Sequence, residues 1–198
     1  WLLHQWLPGV IYYFIFHYAG ISGLVFFKAV LVSGICCVLF RLCRRTGGGS
    51  DAMWTFWVLS FVVFFARPRF FARPFLFSAL LLSVLEYGCL RWERNRRWLL
   101  LAMPLLIVLW GNTHAGVAYG VVYLGAFAAG RFLNGFGGAK RSGNPWQLLR
   151  VLPGRHCLLL AGIFLSIAGT VAVVWLANPN GPGVLLLPFV YFTDPFWQ

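Results

Sequence analysis

Three short segments carry most of the groups that could do chemistry: ARPRFFARP at 66–74, WGNTHAG at 110–116 and LANPNGPG at 176–183. The first holds Arg67, Arg69 and Arg73. A guanidinium is a planar fork that grips phosphate oxygens in pairs. Set beside prolines at the edge of apolar runs, these arginines suit a phosphate or pyrophosphate head group carried on a lipid. The other reading is that they snorkel to lipid head groups or cap helix ends. The second segment holds Asn112 and His114. His114 fits three roles: a base, a donor to a ligand, or a group that stabilises its turn. Asn178 and Asn180, each followed by proline or glycine, are turn formers first and ligand contacts second. Lys28 stands alone within an apolar run, about 12 Å along a helix from Gly20. An ionisable group at that depth is a functional candidate or a snorkelling side chain.

Carboxylates are scarce. Asp51, Glu86, Glu93 and Asp194 are the whole supply. Within this sequence, any mechanism that needs a carboxylate has only these to draw on. The spacing of Cys36, Cys37 and Cys43 matches no zinc pattern, so no metal is expected. GGAKRSG at 137–143 lacks the Lys-Ser/Thr order of a phosphate-binding loop.

The elements that must position these groups follow from composition. The chain has 198 residues, of which 61% are hydrophobic and 10% charged, with a mean hydropathy of +0.80. Soluble domains are about 25% charged. A globule of this size cannot hide so much apolar surface from water. Disorder is excluded by the same figures, and a disulfide scaffold by only five cysteines. The composition predicts an all-α, polytopic transmembrane helical bundle.

Along the chain, residues 1–19 read as an interfacial or re-entrant helix, because Pro8 removes a helical hydrogen bond. Residues 20–198 read as the bundle, with spans predicted at 20–42, 53–66, 75–90, 98–110, 117–130 and 156–177. A seventh segment begins at 184, giving about six to seven spans in a single transmembrane domain. The polar stretch 131–155 reads as a loop with a short helix at 146–152. The chain opens at Trp1 inside an apolar stretch, as a piece of a longer polypeptide would. Gly116 and Gly120 form a small-xxx-small face suited to close packing within the bundle.

The net charge of +12 sorts by loop. Alternating loops place Arg41, Arg44, Arg45, Arg91, Arg94, Arg96, Arg97, Arg131, Lys140, Arg141, Arg150 and Arg155 on one side. Arg67, Arg69 and Arg73 fall on the other. The positive-inside rule makes the first side cytoplasmic and the second external. These charges therefore set topology, and no nucleic-acid partner is expected.

The order RP-x-x-F-x-RP-x-x-FS, then W-x-N-x-H-x-G, then N-P-x-G resembles polytopic bacterial membrane proteins of the GT-C glycosyltransferase type, in the branch related to protein mannosyltransferases (family 39). The resemblance covers roughly residues 1–197. It implies a helical bundle in the bacterial inner membrane that takes its sugar from a polyprenyl phosphate on the periplasmic side. It implies that Arg67, Arg69, Arg73, Asn112 and His114 lie near the donor phosphate. It also implies a loop carboxylate as base, upstream of the region matched by WLLHQWLPGV, and neither Asp51 nor Asp194 matches that motif. No cofactor beyond the lipid-linked donor is implied. The expected partners are membrane lipids, that donor, and other membrane subunits. The alternative expectation is a non-catalytic accessory subunit of a larger membrane complex. A transporter ranks third, because the chain shows no internal repeat.

Overall fold

A computed structural model describes residues 6–46, 51–67, 73–91 and 96–141, with the helical positions 161, 162, 164, 165, 168, 169, 172 and 176. The described residues are all-helical. Five helices run in order: α1 Trp6–Thr46, α2 Ala52–Ala66, α3 Phe75–Leu90, α4 Arg96–Thr113 and α5 Val117–Arg141.

The 41 residues of α1 do not form one straight rod. Gly20 takes φ 61° and ψ −155°, a backbone region that only glycine occupies at low cost. Tyr12 and Phe27 flank it, and their ring centroids lie 6.1 Å apart. A straight helix would separate their Cα atoms by about 22 Å. The chain therefore turns back sharply at Gly20, into a short arm (6–19) and a long one (21–46). The break adjoins the division expected between residues 19 and 20, while Pro8, the breaker that motivated that reading, is not where the chain turns. Pro8 lies in the first described turn of α1, where an amide has no intrahelical acceptor to lose.

Asp51 opens α2 by accepting a 3.0 Å hydrogen bond from the Met53 amide, which satisfies one of the orphan donors of a helix start. The helix is then apolar all round. Thr55 is its sole buried residue, while Trp54, Phe61 and Phe65 are 70%, 65% and 63% exposed. Helix α3 is the centre of the bundle. Leu76 packs with Leu31 and Ile35 of α1. Leu81, Leu85 and Cys89 pack with Met103, Ile107 and Trp110 of α4, and with Val117, Leu124 and Ala128 of α5. Each set recurs every three, four or seven residues, the spacing of one helix face.

Two sequence-based boundaries move. The break at 111–116 is shorter than expected, because α4 continues through Thr113. Thr113 Oγ1 donates to the Trp110 carbonyl at 3.0 Å and His114 N to the same carbonyl at 2.9 Å, closing the last turn. The loop expected from residue 131 begins later, because α5 continues to Arg141. Extending a formed helix adds a hydrogen bond for each residue fixed, so the polar composition does not stop it. The segments at 146–152 and from 184 onward lie outside the described residues, as do Arg69, Asn178 and Asn180.

Among the described residues, α1 alone is long and apolar enough to cross a bilayer by length and composition. Helices α2 and α3 and the stretches Ala102–Thr113 and Val117–Gly130 are shorter apolar helices.

Candidate functional site

Polar groups of the second segment meet Ser78, near the start of α3, at one end of the bundle. Trp110 is fully buried, and an indole N–H has no acceptor capacity and must find a partner when buried. It donates to Ser78 Oγ at 2.7 Å. Ser78 Oγ in turn lies 2.8 Å from His114 Nδ1. The Gly116 amide also reaches His114 Nδ1, at 2.9 Å.

These partners fix the protons. Trp110 Nε1 and Gly116 N are donors only. Ser78 Oγ accepts from the indole, and its own proton is left for His114 Nδ1. That nitrogen therefore accepts twice, and the neutral ring carries its proton on Nε2. The arrangement presents His114 as a hydrogen-bond donor rather than as a base through Nδ1.

Close glycine contacts hold the cluster in place. A Cβ added at Gly116 would lie 2.6 Å from Ser78 Oγ and 2.7 Å from His114 Nδ1. One added at Gly120 would lie 2.5 Å from the Trp110 ring. Gly125 and Gly130, further along α5, face open space. The close packing expected of the small-residue face is thus internal to the bundle at Gly116 and Gly120.

Asn112 ties the short arm of α1 to the same end. Its Oδ1 accepts from Trp6 Nε1 at 3.1 Å, and its Nδ2 donates to the Val108 carbonyl at 3.0 Å. Arg73 is exposed five residues before Ser78. Its carbonyl accepts from the Leu76 amide at 3.1 Å, in the turn that opens α3. Arg67 follows the end of α2, exposed, with its guanidinium 5.1 Å from the centre of the Phe64 ring. Lys28 is half-buried on the long arm of α1. No hydrogen bond or ion pair among the described residues joins it to the His114 cluster. Of the predicted site residues, the structure thus joins His114 to the start of α3, which follows Arg73, and joins Asn112 to Trp6.

The opposite end of α3 is basic. Tyr87 lies under two guanidiniums, that of Arg45 from α1 at 5.5 Å and that of Arg91 at 5.1 Å. The C-terminal ends of α1 and α3 therefore meet, which makes the long arm of α1 parallel to α3. No cluster of three or more metal-ligating side chains occurs among the described residues.

Ser78, Trp110, Gly116 and Trp6 were not singled out as site residues from the sequence. Three of them sat inside the quoted motifs, Ser78 closing the first and Trp110 and Gly116 bounding the second. Trp6 carried no such signal. No family model, curated protein or solved structure matches the chain.

Proposed function

We propose that this chain is the membrane part of a multi-pass glycosyltransferase of the GT-C kind, holding the phosphate of a polyprenyl-phosphate sugar at the His114 end of the bundle. The membrane reading is supported by α2, whose large apolar side chains face outward all round. Each would contribute roughly 1.5–3 kcal/mol if removed from water, so lipid or protein must cover them. Orientation is supported by the two ends of α3. The basic ends of α1 and α3 meet at Tyr87, which the positive-inside rule makes cytoplasmic. The His114 cluster then faces the periplasm in the bacterial inner membrane.

The observation that carries the phosphate reading is the doubly accepting Nδ1 of His114. It holds the ring at the end of the bundle where the turn of Arg73 opens α3. Fixed donors placed where charge develops on a leaving phosphate lower its barrier. In proteoliposomes holding the full chain and a radiolabelled polyprenyl-phosphate mannose, Arg67→Ala and Arg73→Ala are each expected to abolish sugar transfer. Wild-type turnover in both would sink the assignment.

One observation favours a second reading, an accessory subunit of a membrane complex. The described carboxylates with known positions lie away from His114. Asp51 caps α2, and Glu86 precedes Tyr87 at the basic end of α3. Purification with a stoichiometric membrane partner and no donor lipid would support that role over the enzymatic one.

A further inference from the structure

Helices α1 and α2 run antiparallel and do not close against each other. Between them lies a groove of about 610 Å³, walled by Phe40 of α1 and by Phe56, Leu59 and Val63 of α2. Ser60 and Arg41 also line it, and Arg41 is the one charged lining residue among those described. The volume lies within the range of pockets that bury small ligands, about 300–1,000 Å³. Arg44 lies three residues beyond Arg41, on the same side of the helix, and both are exposed. Among the described residues, no acidic side chain lines the groove. The end of the chain that carries Arg41 is the basic one, marked by Arg45 and Arg91 on Tyr87. Of the described positions between 161 and 176, Gly169 sits beside Val108 of α4, away from the groove lining.

We propose that this groove binds an anionic glycerophospholipid of the inner leaflet. An acyl chain lies along Phe56, Leu59 and Val63, and the phosphate meets the Arg41 guanidinium. The apolar wall explains the chain and the lone cation explains the charge preference. A zwitterionic lipid offers the same chain but sets a second positive charge near Arg41. The inference rests on the membrane orientation given above and is independent of any transferase activity.

The test uses the full chain in nanodiscs made from equal parts phosphatidylglycerol and phosphatidylcholine. A photoreactive benzoylphenylalanine is placed at Leu59 in one preparation. In another it is placed at Phe61, which is exposed and outside the groove. Lipid adducts are identified by mass. At Leu59, phosphatidylglycerol adducts are expected to exceed phosphatidylcholine adducts about fivefold, the ratio given by roughly one basic side chain near an anionic surface. At Phe61 the ratio is expected near one. Arg41→Ala should bring the Leu59 ratio to about one while total lipid adduct persists. An equal ratio at Leu59 in the unmodified background, or a preference that survives Arg41→Ala, overturns the proposal. An adduct at Leu59 to another segment or a second copy of the chain also overturns it, because protein then fills the groove. Absence of lipid adduct at both positions overturns the membrane reading itself.

Discussion

Ser78 Oγ lies 2.8 Å from His114 Nδ1, across 36 residues of sequence. The contact joins the start of α3 to the turn between α4 and α5, and the buried Trp110 indole depends on the same hydroxyl. Two helices and the turn that follows the second thus share one oxygen atom.

Ser78→Ala is expected to lower stability by about 1–3 kcal/mol, because it leaves the buried Trp110 N–H without an acceptor. His114 Nδ1 keeps the Gly116 amide, so the ring loses one of two restraints. Thermal unfolding in detergent measures the first effect. Binding of a polyprenyl phosphate measures the second, and is expected to weaken. An unchanged unfolding midpoint would show that the indole has found another acceptor.

Gly120→Ala and Gly125→Ala should move stability in opposite directions. At Gly120 the new methyl meets the Trp110 ring, and forcing it in costs roughly 1–3 kcal/mol. At Gly125 it meets open space, and alanine favours the helix by about 0.5–1 kcal/mol. Parallel unfolding curves of the two variants make the comparison. Equal destabilisation by both would contradict the packing at Trp110.

Much of the element order was legible because apolar runs and their punctuation coincide. The apolar runs at 53–66 and 75–90 fall on α2 and α3. The division drawn between residues 19 and 20 adjoins the bend at Gly20, although Pro8 was the residue that motivated it. Pro8 is a conspicuous breaker, but it matters only where an acceptor exists to be lost. Gly20 bends the chain through a positive φ, which no residue pattern displays. The candidate site was legible only in part. Asn112 and His114 stood out as polar groups in an apolar chain. Their partners, Trp6 and Ser78, are chosen by helix packing over long sequence distances, and a linear reading has no access to that choice.

Gly20→Ala should strain or straighten α1. The glycine-only backbone region costs other residues about 1–3 kcal/mol. Spin labels at Val10→Cys and Val30→Cys report the bend, and both positions are exposed. In a straight helix they would stand about 30 Å apart. A clearly shorter distance is expected with Gly20, and a longer or broader distribution with alanine. A 30 Å separation with glycine in place would refute the bend.

Trp6→Phe keeps the aromatic bulk and removes the donor to Asn112. The expected loss is about 0.5–1.5 kcal/mol, felt by the arm rather than by the core. Amide hydrogen exchange should speed up over residues 6–19 and stay unchanged in α3. Faster exchange throughout the bundle would mean that the arm holds the whole fold together.

The link from Trp6 to Asn112 spans 106 residues, and it orders events in time. Synthesis runs from the N-terminus, so the short arm emerges first and its polar partner much later. Until α4 is in place, the Trp6 indole has no Asn112 to meet. The short arm is thus made before α4 and fastened only after it. A block to synthesis before residue 112 would leave this arm untethered, a natural mark by which an unfinished copy differs from a finished one.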